Sequence, residues 1–476
     1  MGQEISEARF EKGDHETYLS RLRAETAFLE SIFKNRSFSN ADPVCGYELE
    51  AWIVDDDLNP APINDKYIKQ LSDPMVSPEL ANFNVEFNFQ PRRLHDKVFT
   101  QFHQELETLW HKAKTTAQSM DTDLVMIGVL PTVRDSDLTI ANISLLNRYH
   151  ALNEQVLRLR NNRPFELDIQ GKDILRMLHP DVMLESATTS FQIHFQVPLD
   201  LAVRVYNASI IASAPMVAIS ANSPFMFSKD LWSETRIRLF EQSVEVGGYE
   251  HGSHGPMRRV TFGSGYARES LYECFFENLD HYPVLLPTLF DDDVKELSHL
   301  RLHNGTLWRW NRPLIGVENG EYSLRIEHRV VPAGPSIIDT VANAAFYYGL
   351  TYELSFMEQA PEQQMGFDRA RDNFYNAARL GLDSQIIWLD NNKQPMQSLL
   401  LKTLIPLASQ GLSRLNVNSN EIDLYLGVIQ QRTENACNGT AWQRAFTAKY
   451  GMDMHALLAA YLEHQNSGLP VHEWTI

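Results

Sequence analysis

Glu48 and Glu50, in the run Gly46-Tyr47-Glu48-Leu49-Glu50, are carboxylates separated by one residue. On a strand they share a face, roughly 6.5–7 Å apart along the chain. Carboxylates that close repel unless cations lie between them. An isolated pair of this kind usually marks a solvated strand face, but Trp52 and Val54 continue this face and are apolar. A second segment, 82–90, alternates without a break: Asn82, Asn84, Glu86, Asn88 and Gln90 against Phe83, Val85, Phe87 and Phe89. A strand puts these sets on opposite faces. Amides and one carboxylate suit a wet cleft or a ligand better than bulk solvent, an exposed antiparallel strand being the alternative. Glu79 lies seven residues before Glu86.

Three further sets follow the same rule. Gln192, His194 and Gln196 alternate with Phe191, Ile193, Phe195 and Val197. A lone strand histidine is commonly a satisfied structural residue, but this one is flanked on its own face by amides. Histidine with carboxylates is acceptable to Mg²⁺ or Mn²⁺, although Mg²⁺ prefers oxygen. Arg325, Glu327 and Arg329 share one face of 322–331, either as an ion-pair ladder or as a site for phosphate or carboxylate. Trp308-Arg309-Trp310-Asn311-Arg312 reads as an anion or nucleotide pocket, or as a hairpin held by cation–π contacts.

Each set alone is weak. Together they describe strands with one polar face each, supplying about five carboxylates, one histidine, two glutamines and up to four arginines. That combination suits a cradle for two or three divalent ions and a polyphosphate. The chain has no GxxxxGK[ST], no GxGxxG after a strand, no GxSxG and no HExxH. An ATP site here would therefore be built from metal on a sheet.

The elements that position these residues can be read in outline. Helices are predicted over 14–36, 96–120, 147–160, 199–219 and 233–246. Strands are predicted at 44–55, 82–90, 124–131, 188–198, 306–314 and 322–331, the last two joined by a turn at Asn319-Gly320. Glu25 interrupts the apolar stripe of the first helix. Residues 247–266, with His251, His254, Arg258 and Arg259, read as a loop that either covers a substrate or lies mobile on the surface. From 336 onward nearly everything reads as helix. This order favours one α+β catalytic domain with a helical annex.

Composition sets the bounds. The 476 residues are 43% hydrophobic and 22% charged, enough for an ordinary core. A net charge of −19 argues against non-specific nucleic-acid binding; a local cluster of Mg²⁺ and arginine still permits a phosphate substrate. Cys45, Cys274 and Cys437 form no CxxC and suggest a reducing compartment. The start of the chain has no apolar stretch of signal type, and its match to a myristoylation pattern is short and lacks a polybasic neighbour. No run of about 18 apolar residues stands out, so no membrane span is predicted and the cytoplasm is the default.

The residues at this point resemble the glutamate–cysteine ligase family 2, or carboxylate–amine ligases, within the glutamine-synthetase-like superfamily. The matching pieces are GYELEAWIVD (46–55), the Glu79/Glu86 pair, TSFQIHFQV (189–197), ANSPF (221–225), the Trp308–Arg312 strand and RIEHRVVPAGPSIID (325–339), in family order. The resemblance implies a curved, mainly antiparallel sheet forming a funnel, with an N-terminal helical segment at 1–43, a catalytic domain at 44–350 and a helical region at 351–476. It implies that Glu48, Glu50, Glu79, Glu86, His194 and Glu327 hold Mg²⁺ or Mn²⁺. Gln192 would support them, Arg329 would meet the γ-phosphate, and Arg312 or Arg309 would lie near the acyl phosphate or the substrate carboxylate. Arg325, Trp310 and Asn88 would face the nucleotide. The implied reaction is ATP-dependent amide formation through an acyl phosphate, with glutamate the preferred acid and the amine acceptor open. The implied partners are small molecules, without nucleic acid or membrane, and homo-oligomers are left open. Two departures are Val330-Val331-Pro332 where family members often carry an aspartate, the nearest here being Asp339, and a long helical tail. A guanidino-type kinase and a non-catalytic ATP-binding regulator are the competing readings. If the acidic residues serve function only, Glu50→Ala and Glu327→Ala should abolish ATP turnover with the melting temperature unchanged or raised.

Overall fold

The computed structural model describes residues 4–5, 9–39, 42–246 and 258–476. Helix α1 (Lys12–Lys34) precedes the long strand β1 (Val44–Asp55). Then come α2 (Asn64–Leu71), β2 (Val76–Pro78), β3 (Asn84–Asn88), β4 (Arg92–Arg93), α3 (Val98–Gln118) and β5 (Thr122–Val125). Next are α4 (Asn147–Leu159), a hairpin of β6 (Phe165–Gln170) and β7 (Ile174–His179), β8 (Phe191–Gln196) and α5 (Leu199–Ser220). Helices α6 (Thr235–Ser243), α7 (Tyr272–His281) and α8 (Ser298–Gly305) lead to strands β9 (Asn311–Glu318) and β10 (Glu321–His328) and helix α9 (Ile337–Phe356). Helices at Phe367–Leu380, Ile405–Arg414, Ser419–Glu434, Gly439–Tyr450 and Met454–Asn466 complete the chain.

The main sheet is antiparallel and curls into a half-barrel. Its order is β9-β10-β8-β1-β3-β2, with β4 and β5 paired to opposite ends of β1. β9 and β10 turn at Asn319 and Gly320, both at positive φ (50° and 78°), the conformation of a tight two-residue hairpin. Alternation gives the sheet two unlike faces, as is common where strands are antiparallel. The apolar face buries Tyr47, Leu49, Ile193 and Ile326. Tyr47 stacks on Phe102 of α3 with ring centroids 3.8 Å apart, and Phe195 meets Tyr348 of α9 at 5.0 Å.

The predicted elements and the observed ones differ at three places. The apolar run 124–131 is a strand only to Val125. Beyond it the Met126 carbonyl accepts hydrogen bonds from Tyr461 Oη and Gln465 Nε2, both at 2.9 Å; a buried apolar run does not by itself distinguish a strand from packed irregular chain. Within the part after 336 that reads as helix, residues 396–414 are built in pieces, with a five-residue π segment at Leu400–Leu404 between Met396–Leu399 and Ile405–Arg414. Helix α5 is long and apolar enough to cross a membrane by length and composition, but 89% of that window is buried among other elements, as for a core helix.

The C-terminal helices at Phe367–Leu380, Ile405–Arg414 and Ser419–Glu434 pack on α5 or α9. A buried ion pair pins them there: Arg432 donates to Asp339 Oδ1 at 2.7 Å and to Asn343 Oδ1 at 2.6 Å. Asp339 also accepts from Ser336 Oγ at 2.7 Å and from the Val471 N–H at 2.9 Å. Asp339 is thus a structural anchor at the start of α9. Because removing one partner leaves the other charge buried and unpaired, Arg432→Ala is expected to cost about 3–5 kcal/mol, read as a lower urea midpoint. A shift below about 1 kcal/mol would mean the pair is solvated.

Candidate active site

The register gathers the polar residues on the concave face. Glu48 lies opposite Gln192, Glu50 opposite Glu86, His194 opposite Glu327, and Arg312 opposite Glu327. Directly opposed residues share a face and touch. Two clusters result: Glu48, His194 and Glu327, and Glu50, Glu79 and Glu86, each with potential ligand atoms within 4.8 Å of one another.

In the first cluster Glu327, fully buried, is gripped by Arg312 through two bonds, Nε to Oε2 at 2.8 Å and Nη2 to Oε1 at 2.9 Å. Arg329 Nη1 lies 3.3 Å from the same Oε2 and donates to Gln192 Oε1. Burial alone would raise the Glu327 carboxyl, but Arg312, Arg329 and His194 hold it well below the ordinary carboxylate range. Arg325 Nε donates to His194 Nδ1 at 3.2 Å. The buried His194 Nε2 makes no hydrogen bond and lies 3.4 Å from Glu48 Oε1.

The second cluster is short of cations. Glu50 accepts from the Ser190 N–H at 2.6 Å, Ser190 Oγ at 2.9 Å and Gln192 Nε2 at 2.8 Å. Glu86 accepts from Ser77 Oγ at 3.3 Å, and Glu79 from the Leu80 N–H at 3.2 Å and Tyr149 Oη at 3.4 Å. Burial and the neighbouring Glu48 and Glu79 push the Glu86 carboxyl up to about 8. Burial raises Glu50 and Glu79 as well, with Glu86 adding to the first and Glu50 to the second. Three converging carboxylates held above their ordinary range fit a divalent cation, as do the Glu48 and Glu327 carboxylates beside His194 in the first cluster.

Glu327 of the first cluster and all three carboxylates of the second line one cleft of about 220 Å³. Its lining combines the charged Glu50, Glu79, Glu86, Arg312, Arg325, Glu327 and Arg329 with the apolar Phe275, Leu286, Leu300, Trp308 and Ile315. Of the residues singled out in the sequence, Glu48, Glu50, Glu79, Glu86, Gln192, His194, Arg312, Arg325, Glu327 and Arg329 converge here. Two do not face the cleft. Arg309 is buried against α7, donating to Asn278 Oδ1 at 2.9 Å and lying 3.3 Å from Glu277 Oε2. Trp310 is buried and donates to Glu241 Oε1 at 3.1 Å. The strand is broken between Arg309 and Asn311, so alternation does not carry through and Trp308 takes the cleft position instead. Asn88 is on the same strand face as Glu86, opposite Glu48, and donates to Ser77 Oγ at 3.3 Å. The ANSPF segment is structural too: Asn222 Nδ2 donates to the Ala333 carbonyl and Tyr461 Oη, both at 2.8 Å. In the 247–266 loop, residues 247–257, with His251 and His254, lie outside the described residues. Arg258 pairs with Glu245 at 3.0 Å, and Arg259 is buried against the Thr306 carbonyl at 3.1 Å.

The cleft also contains residues that the alternation did not reveal: Arg148, Tyr149, Glu185 and Arg301. Arg148 sits in the first turn of α4, where a cation opposes the helix dipole, and that was a legible signal. Glu185 lies in a short 3₁₀ turn, Val182–Ala187, with no sequence pattern to mark it.

The profile of the glutamate–cysteine ligase family 2 matches residues 44–464. A search of curated proteins finds no match. Among solved structures, the glutamate–cysteine ligase of Francisella tularensis in complex with AMP is similar, with TM-score 0.53 and 12% identity over 92% of this chain and 96% of that one. A bifunctional glutathione synthetase from Pasteurella multocida gives TM-score 0.53 and 9% identity over 95% of this chain and 54% of its own, so this chain spans about half of that protein. At these identities the structures speak to the fold, and they agree with the curled sheet and its helices. The family match covers most of the chain and sets aside the guanidino-kinase reading. The chain belongs to the glutamate–cysteine ligase family 2, and as a member it is an ATP-dependent ligase that joins a carboxylate to an amine.

Proposed function

We propose that this ligase activates the γ-carboxylate of glutamate as an acyl phosphate and transfers the acyl group to an amine. The observation that carries the reading is the juxtaposition, at one cleft, of two three-ligand clusters with Arg312 and Arg329. Glu48, His194 and Glu327, and Glu50, Glu79 and Glu86, would hold Mg²⁺, with Mn²⁺ as a substitute. The ions, when bound, neutralise phosphate charge and orient the transferred group. In the first step a carboxylate oxygen bonds to the γ-phosphorus as the bond to the ADP oxygen breaks. In the second, the amine nitrogen bonds to the acyl carbon, phosphate leaves with the bonding electrons, and the amine loses a proton. Arg329 and Arg312 stabilise charge on the phosphoryl group, with Gln192 accepting from Arg329 and Arg325 donating to His194. No side-chain nucleophile is needed. Arg148 and Glu185 provide a cation and a carboxylate on the cleft wall, complementary to the carboxylate and ammonium of an amino acid. The sparse cysteines suit a cytoplasmic enzyme.

The test is coupled ADP and phosphate release over a panel of amino acids and amines with Mg²⁺. Phosphate release that requires glutamate and an amine together, with an amide product by mass spectrometry, is the expected result. A stable phosphorylated product, or no turnover with any pair and no ATP binding by calorimetry, would sink it.

A further inference from the structure

Helix α1 precedes the first residue matched to the family, yet it is tied into the cleft wall. Glu25, which breaks the apolar stripe of α1, is 3% exposed. Its Oε2 accepts the Leu300 N–H at 2.7 Å, and its Oε1 lies 2.6 Å from His299 Nδ1. The Phe290 N–H donates to His299 Nε2 at 3.2 Å, so the ring hydrogen sits on Nδ1 and points at Glu25. Tyr18 Oη, also on α1, donates to the His299 carbonyl at 2.6 Å. Helix α8 has no side-chain cap of its own; Leu297 before it is left-handed, with φ 54°. The first-turn N–H groups of a helix need an acceptor, and a carboxylate there also favours the dipole. Glu25 supplies that cap from another helix.

The other end of α8 holds Arg312. Arg312 Nη1 faces the carbonyls of Asn304 (3.4 Å), Gly305 (3.3 Å) and Leu307 (3.4 Å), while its other nitrogens grip Glu327. Asn304 Nδ2 donates to the Pro313 carbonyl at 3.0 Å, tying α8 to β9. Between these ends, Leu300, Arg301, Leu302, Asn304 and Gly305 line the cleft. A continuous polar chain therefore runs from α1 through α8 to Arg312 and Glu327.

We propose that Glu25 is a positioning residue: by capping α8 it sets the carbonyls on which Arg312 rests, and so the placement of Arg312 against Glu327. The inference rests on the ligase reading for its kinetic arm. The experiment is a double-mutant cycle of Glu25→Ala and Arg312→Lys, assayed well below the melting temperatures, with Glu25→Gln and Tyr18→Phe as milder variants. Glu25→Ala is expected to lower kcat about tenfold, Glu25→Gln to retain most of it by keeping an acceptor for Leu300, and the double variant to be no slower than Arg312→Lys alone, as for coupled residues. Effects that multiply, or a lower melting temperature with unchanged kinetic constants, would overturn it. Hydrogen exchange reads the same chain without turnover. Faster exchange in the Glu25→Ala variant at both 298–305 and 308–316 supports the proposal, and a change confined to 298–305 refutes it. An inactive wild type would therefore remove the ligase reading and leave exchange to decide.

Discussion

Glu327→Gln is expected to reduce ATP turnover by at least about 100-fold and to lower the urea midpoint by about 3–5 kcal/mol of stability. The stability loss departs from what the sequence alone predicts. Glu327 is fully buried between Arg312 and Arg329, and the neutral amide leaves those two guanidiniums facing each other without a carboxylate. A buried charge stripped of its partner is costly in a way that an exposed one is not. The activity loss has a separate origin, because the same carboxylate completes the cluster with Glu48 and His194. Steady-state kinetics with a urea titration would separate the two effects. An unchanged midpoint would show that the arginines have other acceptors.

Glu86→Gln should move stability the other way. Glu86 sits among carboxylates, and its carboxyl is pushed up to about 8 by burial and by Glu48 and Glu79. A carboxyl with a raised native pKa imposes no penalty below the unfolded value of about 4.3 and a growing one above it, levelling off near the native value. Wild-type protein in EDTA therefore loses stability as pH rises from about 4.3 to about 8, and the variant loses less. The melting temperature of Glu86→Gln in EDTA should exceed wild type by a few degrees at pH 8 and by less at pH 5, with turnover reduced at least about 100-fold. A gap independent of pH would mean that repulsion at this position is not what the substitution relieves. Calorimetry at the two pH values, each with and without Mg²⁺, is the measurement; added Mg²⁺ should narrow the gap by stabilising wild type.

These opposite signs mark how far the sequence could be read. Alternation alone placed Glu48, Glu50, Glu86, His194 and Glu327 on polar strand faces, because the side-chain period of a strand is fixed by backbone geometry. It could not tell that Arg312 would close on Glu327 across the β9–β10 hairpin or that Glu50 would stand opposite Glu86 across β1 and β3, because that depends on cross-strand register. Alternation also misled where the strand itself is interrupted, at Trp310, and turned Arg309 and Trp310 into apparent cleft residues. Arg148, Glu185 and α8 reach the cleft from helices and turns, where no period of two exists to betray them. Glu25 was visible only as a flaw in an amphipathic stripe; the flaw is a cap for a helix some 270 residues later.

The pairing of β1 with β8 and β3 has a consequence for how such an enzyme can diverge. Inserting or deleting one residue in β1 would turn Glu48 and Glu50 to the side of Tyr47 and Leu49, so the strands tolerate point changes but not length changes. Arg148 and Glu185 are carried on segments whose lengths no strand register constrains. Under the proposed reaction, drift in the choice of acceptor amine can therefore accumulate there while the charged strands stay fixed, and a library aimed at new acceptors belongs in α4 and the Val182–Ala187 turn.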